Sequence, residues 1–332
     1  MNGKILISAK NLVKYFPVYF SGIFGKRKIG DVHAVDNVSF QILEGETLAL
    51  VGESGCGKTT TAKVILNIEP PTSGEAYFEG KNIYEAFRKK NKKEILSFKR
   101  SMQMIYQNPY SSLNPRMTVR DVIAEPFVIH KLFSEKEREE RVYSLLKLVG
   151  LQESDAEKYP FQFSGGQRQR ISIARALAME PKFIVADEPV SSLDVSIRAQ
   201  VLNLIKDLQD KLKLTYLYIS HDLSSVRQIS DRIAVMYLGK IVEFAEREAL
   251  FKKPVHPYTQ ALFMAVPVPD PKRDRIKIRL PGEPPSPINP PPGCRFHPRC
   301  QYAVDKCKSS EPELVDIGEG HYVACHLSSK FI

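Results

Sequence analysis

The chain contains no tryptophan, so nothing about its function can rest on one. It has no apolar run of the roughly 18 residues that a membrane-spanning helix needs, and its mean hydropathy is -0.25. The opening residues MNGKILISAK lack the apolar stretch and small-residue cleavage site of a secretory signal. The expectation is a chain that stays in the cytoplasm. No tandem repeat occurs at the periods of solenoids or propellers. Cysteine is scarce, with five in all, and four of those five lie beyond residue 290.

What is present is ordinary for a globular protein: 43% hydrophobic and 26% charged residues among 332, which excludes disorder of the whole chain. This length allows two or three structural units. Lys and Arg number 48 against 38 Asp and Glu, a net charge of +10. That balance suits nucleic acid, a phosphorylated ligand or an anionic membrane face. Residues 81–100 concentrate it, with eight basic and two acidic side chains. The plain reading of that cluster is a solvated helix face.

The order of elements is readable. ILISAKNLVKYF and VHAVDNVSFQILEG read as strands separated by a Gly/Lys-rich loop at 21–30. TLALVG is a short apolar strand, and KTTTAKVILNI after it reads as a helix, the opening of a βαβ unit. Residues 116–181 are mostly helical in pattern. Thr118–Asp121 and Ser134–Glu137 fit the capping-box spacing, and Gly150 suits a helix C-terminus. KFIVAD, LTYLYIS and RIAVMYLG then return to strands. The expected fold is α/β, a mostly parallel sheet with antiparallel N-terminal strands, a helical subdomain and an irregular cysteine lobe. The expected boundaries are a core at 1–115 and 166–250, a helical subdomain at 116–165, and a C-terminal extension at 251–332. The extension begins proline-rich: 13 of the 23 prolines lie in 254–298, which forbids long helices or central strands there.

Gly52-Glu53-Ser54-Gly55-Cys56-Gly57-Lys58-Thr59 matches G-x-x-x-x-G-K-[ST]. Glycines let backbone N–H groups turn inward around phosphate oxygens, and the following helix aims its positive end at them. Lys58 would reach the β/γ-phosphates, Thr59 would bind Mg²⁺, and Thr60 completes the set. Cys56, near a helix N-terminus, is expected to react as a thiolate when nucleotide is absent. The apolar run Phe183–Ala186 leads into Asp187 and Glu188. This places carboxylates at the C-terminal edge of a buried strand, where open α/β sheets bind ligands. Asp187 would hold Mg²⁺, and Glu188 would polarise the attacking water.

With these motifs in place the chain resembles the ATP-binding subunits of ABC transporters. Phe163-Ser164-Gly165-Gly166-Gln167 resembles the family's signature with Phe for the first Leu, Gln107 resembles its Q-loop glutamine, Ser192-Leu193-Asp194 its D-loop, and His221 its switch histidine. The match covers about residues 5–250. Ser164 is also a good N-cap for RQRISIARALAM, so the signature reads as a second anion site or as an ordinary capped helix. The resemblance implies that ATP is sandwiched between the phosphate loop of one subunit and the signature of another. It further implies roles for Gln107 at Mg²⁺ and for Asp194 at the nucleotide, and a contact of His221 with the γ-phosphate. Phe16 is expected to stack on adenine, with Tyr15 as the alternative.

YQNPYSSLNPRMTV, KPVHPYTQALFMAVP and the tail LPGEPPSP…GCRFHPRC are similar to oligopeptide and dipeptide importer ATPases. KYFPVYF resembles the second of their two paired ATPase subunits. The implied function is ATP hydrolysis driving peptide import from the cytoplasmic face of the membrane. The implied partners are a second ATPase subunit (heterodimer, with homodimer possible), two permease subunits and, indirectly, a solute-binding protein. The same machinery importing nickel, glutathione or an oligosaccharide is the alternative. A nucleic-acid ABC ATPase is the rival class; the chain offers it no long heptad segment and no second cassette.

Cys294, Cys300, Cys307 and Cys325 have spacing C-x5-C-x6-C-x17-C. Disulfides are not expected in the cytosol. Spacing alone leaves open an iron–sulfur cluster, zinc assisted by His297 or His326, or free thiols. The resemblance implies a [4Fe–4S] cluster. Because the phosphate loop is remote in sequence from this lobe, the expected role of the cluster is structural, and the cassette is expected to bind ATP without it.

Overall fold

The computed structural model describes residues 3–22, 25–264 and 282–331. They fall into two compact units. The first comprises Ile42–Thr47 and Glu85–Ser220 with the described residues up to Leu6. The second comprises Ile7–Gln41, Leu48–Tyr84 and the chain from His221 onward.

The first unit carries three parallel strands, Met102–Ile105, Phe183–Asp187 and Thr215–Ser220, with Phe183–Asp187 in the centre. The central and last strands are buried along their whole length. Parallel strands covered on both faces read as continuous apolar runs, which is why KFIVAD and LTYLYIS lack alternation. Helices Val119–Ile129 and Glu135–Leu148 follow as the sequence predicts. Ser134 and Glu137 form the full capping box, Thr118 accepts the Asp121 N–H at 3.2 Å, and Gly150 adopts φ +75° past the helix end. In the helix Lys92–Ser101, Phe98 is buried while Lys92, Lys93 and Lys99 are exposed. The basic cluster there is a solvated face.

The second unit pairs Thr47–Val51 in parallel with Arg232–Tyr237, to which Lys240–Glu246 is antiparallel. A separate antiparallel sheet holds Ile5–Gly22, Gly25–Leu43, Ser73–Phe78 and Lys81–Asn82. The predicted loop at 21–30 is replaced by strand from Gly25 onward. Its glycines and lysines extend an exposed edge, where cross-strand hydrogen bonds outweigh weak local propensity. The extension is woven into this unit. Tyr322–Val323 adds to the strand Lys240–Glu246, and Val32 bridges Ile288. The fully buried Glu243 accepts N–H groups from Val255 and His256 at 2.8 and 2.9 Å and pairs with His321 at 2.7 Å. Part of the predicted proline-rich stretch, 265–281, lies outside the described residues.

Candidate active site

The phosphate loop leaves the strand Thr47–Val51 and enters the helix Lys58–Ile65. The N-cap is Gly57 at φ 109°, and no side chain caps it. A glycine N-cap with no side chain over the first turn leaves room for an anion at the helix N-terminus. A Cβ on Gly57 would come within 2.0 Å of the Ala34 carbonyl oxygen, so only glycine fits this turn. Lys58 is 5% exposed. Its Nζ donates to the carbonyls of Gly52 and Glu53 at 2.9 and 3.0 Å. Glu53 in turn donates its N–H to Tyr258 Oη at 2.8 Å.

Cys56 departs from expectation. It is buried, at 4% exposure, and that burial pushes its thiol pKa up despite the Lys58 ammonium beside it. Desolvation of the thiolate outweighs the helix terminus, so this is not a reactive thiolate.

In the first unit the sheet register explains the pairing of two predicted residues 81 positions apart. Ile105 lies opposite Ala186 on parallel strands, so both chains exit at the same edge. Gln107 Nε2 then donates to Glu188 Oε2 at 2.8 Å. Asp187 is 3% exposed at the strand end. Glu188 adopts φ 46°, a left-handed conformation costly for a glutamate and concentrated at functional sites. Its N–H is held by the Ile219 carbonyl at 2.9 Å.

The signature also lies in the first unit. Ser164 caps the helix Gly165–Leu177 and exchanges a complete capping box with Gln167. A Cβ on Gly166 would come within 2.3 Å of Ile197 Cγ2. The second glycine thus permits close helix packing as well as backbone exposure. Asp194 starts the helix Val195–Leu212 without a side-chain cap bond, and Asp194 and Ser164 are exposed. A cavity of about 530 Å³ between Phe127, Leu145, Leu148, Leu177 and Leu212 contains none of the predicted site residues.

His221 is exposed and follows the strand Thr215–Ser220. The Tyr15 ring stacks on His33 at 4.0 Å, whereas Phe16, half-buried, lies under the Lys14 ammonium at 4.7 Å. Each of the two candidate rings thus has a neighbour over it.

The tail cysteines are all free thiols. Cys294 and Cys307 are joined by a backbone hydrogen bond of 2.8 Å, and burial, reinforced by the other three thiols, pushes Cys294 up to about 11. Among the described residues no group of three or more His, Cys, Asp or Glu is arranged to hold a metal ion. The two histidines of the zinc alternative each engage a carbonyl through one ring nitrogen: His297 Nδ1 faces the Cys294 carbonyl at 2.9 Å and His326 Nε2 the Ser310 carbonyl at 2.8 Å. Sequence reasoning missed Arg299, which forms a two-pronged ion pair with Glu53 at 2.8 and 3.1 Å. Only its position beside Cys300 hinted at it.

Comparison with known proteins agrees with the geometry. The family described as ABC transporter matches residues 35–191, and the family described as oligopeptide/dipeptide transporter, C-terminal region, matches 242–307. The chain is 51% identical to the oligopeptide transport ATP-binding protein AppF of Bacillus subtilis, over 99% of both chains. It is 47% identical to the dipeptide transport ATP-binding protein DppF of Escherichia coli, over 96% of this chain and 93% of that one. Among solved structures, a post-hydrolysis dimer of the ATP-binding cassette MJ0796 bound to ADP and phosphate is similar, with TM-score 0.63 and 28% identity over 73% of this chain and 99% of that one. CbiO1 of Clostridium perfringens has TM-score 0.62 and 26% identity over 75% of this chain and 91% of that one. The chain is an ABC-type ATPase and belongs to the ATP-binding subunits of oligopeptide and dipeptide ABC transporters.

Proposed function

We propose that this chain hydrolyses ATP to drive uptake of di- or oligopeptides through a membrane transporter. The observation that carries the ATPase chemistry is the Gln107–Glu188 contact at 2.8 Å. It joins by one hydrogen bond the two residues this reading assigns to Mg²⁺ and to the attacking water. The loop Gly52–Thr60, including the backbone of Glu53, Ser54, Gly55, Cys56 and Gly57, holds the phosphates, with Lys58 on the β/γ oxygens. Thr59, Gln107 and Asp187 would hold Mg²⁺ through hard oxygen ligands, and the ion would supply charge that offsets the phosphates. Glu188 accepts the proton of the attacking water, and His221 orients that water at the γ-phosphate. Phe16 stacks on the adenine. Ser164, Gly165, Gly166, Gln167 and Asp194 face the nucleotide of a second ATPase subunit.

That second subunit is a homologous chain, and the pair works on two permease subunits at the cytoplasmic face of the membrane, supplied by a solute-binding protein. The full-length match to peptide transport proteins, tail included, supports peptides over nickel, glutathione or oligosaccharides.

Cys294, Cys300, Cys307 and Cys325 hold a [4Fe–4S] cluster in this reading. What supports it is that four cysteines of one lobe fall close together in sequence and none is in a disulfide. A single ion would need the sulfurs to converge on a point about 2.3 Å from each; a cluster bridges a wider set. When bound it cross-links four thiolates in a lobe with little apolar content. Anaerobically purified protein should be brown with about four irons per chain. Stoichiometric zinc without iron would contradict the cluster.

The test of the ATPase reading is Glu188→Gln in the assembled transporter. Mg-ATP binding should persist while hydrolysis falls by roughly 10²–10⁴, the effect of losing a general base. Near-wild-type turnover would remove Glu188 from the mechanism.

A further inference from the structure

Glu53, the second residue of the phosphate loop, is held at three points within its own unit. Its N–H donates to Tyr258 Oη at 2.8 Å, its carbonyl accepts from Lys58 at 3.0 Å, and its carboxylate accepts both prongs of Arg299 at 2.8 and 3.1 Å. Two of these three holders belong to the C-terminal extension. Arg299 lies in the cysteine lobe, 246 residues from Glu53. Its side chain is 6% exposed against 28% for its partner, and it also reaches Tyr237 Oη at 3.4 Å. Phe296 of the same lobe is 2% exposed and packs edge-on against Tyr237 at 5.3 Å and beside Tyr258 at 5.6 Å. A second arm of the lobe reaches the far end of the loop. Arg295 pairs with Asp36 and donates to the Leu238 carbonyl, and Gly239 next to it donates its N–H to the Cys56 carbonyl at 2.8 Å.

A carboxylate on a phosphate loop is electrostatically out of place, because it repels the anion the loop is built to hold. A bidentate guanidinium both neutralises it and fixes its direction. We infer that Arg299 is a positioning residue for nucleotide binding, which makes the cysteine lobe part of the nucleotide site through its grip on Glu53. This rests on the reading that Gly52–Thr59 binds ATP. It adds a contact that distance in sequence hid, and it leaves standing the expectation that the cassette binds ATP without the cluster. It requires nothing of the cysteines beyond keeping the lobe folded.

The experiment measures Mg-ATP and AMP affinity of the full-length chain by calorimetry, in wild type, Arg299→Ala, Arg299→Lys, Glu53→Gln and the Arg299→Ala/Glu53→Gln double variant. Arg299→Ala should weaken Mg-ATP about tenfold, one charge-assisted contact's worth. AMP, which lacks the β- and γ-phosphates, should lose far less. Arg299→Lys should lose about threefold, since it keeps the charge without the fork. The double variant should recover most of the loss, because the unpaired carboxylate is gone. Should Arg299→Ala fail to fold, the lysine variant and Glu53→Gln carry the same test. Wild-type affinity in Arg299→Ala or Arg299→Lys, or an equal loss for ATP and AMP with no recovery in the double variant, overturns the inference. Lys58→Ala separates the two levels. If it binds Mg-ATP as wild type does, the nucleotide reading of the loop itself falls and takes this inference with it.

Discussion

Two stretches of this chain place glycines at a helix N-terminus, and they are built differently. At the phosphate loop the helix Lys58–Ile65 starts from Gly57 with no side-chain cap. At the signature the helix Gly165–Leu177 starts from Ser164 with a complete capping box closed by Gln167. The first has no side chain from its own cap on its leading turn and keeps a buried lysine on the loop carbonyls. The second satisfies the N–H groups of Ser164 and Gln167 through its own box. The same sequence cue, small residues before a helix, thus marks an anion site in one place. In the other it marks a helix start with a complete capping box. Glycine also serves different ends: Gly57 turns the backbone against Ala34, and Gly166 admits Ile197.

The comparison can be broken most strongly at Lys58. Lys58→Ala should weaken Mg-ATP binding on the order of 100-fold, the loss of a charged contact of about 2–3 kcal/mol, measured by nucleotide titration. An unchanged affinity would make the two termini equivalent. Acid should then separate the two regions. His256, in the phosphate-loop unit, is buried, and burial pushes its pKa down from 6.5 to about 4. Below pH 6.5 the unfolded chain takes up a proton that the folded chain refuses, so stability present at neutral pH is lost as pH falls towards 4. The loss reaches about 3 kcal/mol. Urea midpoints across that window should fall for the wild type and fall less for His256→Gln.

Smaller effects sharpen the signature side. Gly166→Ala should destabilise the first unit by about 1–3 kcal/mol through overpacking, with Ile197→Ala recovering part of it in denaturant titrations. Ser164→Ala should cost about 1 kcal/mol for the lost cap, readable as a modest fall in Tm.

Much of this was legible in the sequence because the determinants are local. TLALVG before a glycine loop, the Ser134–Glu137 box and the apolar run into Asp187-Glu188 each fix their element within a few residues. The Gln107–Glu188 pair needed the family resemblance, since only the register of Ile105 against Ala186 brings the two together. Two features escaped because burial and long-range pairing decide them. Cys56 reads as a helix-terminal thiolate, yet its 4% exposure raises its pKa. The grip of Arg299 on Glu53 spans 246 residues, and no periodicity or spacing encodes a contact of that range. The edge strand from Gly25 escaped for a related reason: its partner strand, not its composition, makes it extend.

The central claim is that the uncapped helix terminus at Gly57, not the capped one at Ser164, is the phosphate site of a single chain. Amide hydrogen exchange of the isolated full-length protein with and without Mg-ATP tests it directly. The account predicts strong protection over residues 54–60 and unchanged exchange over 165–167. Protection confined to 165–167, or equal protection of both stretches, would contradict it.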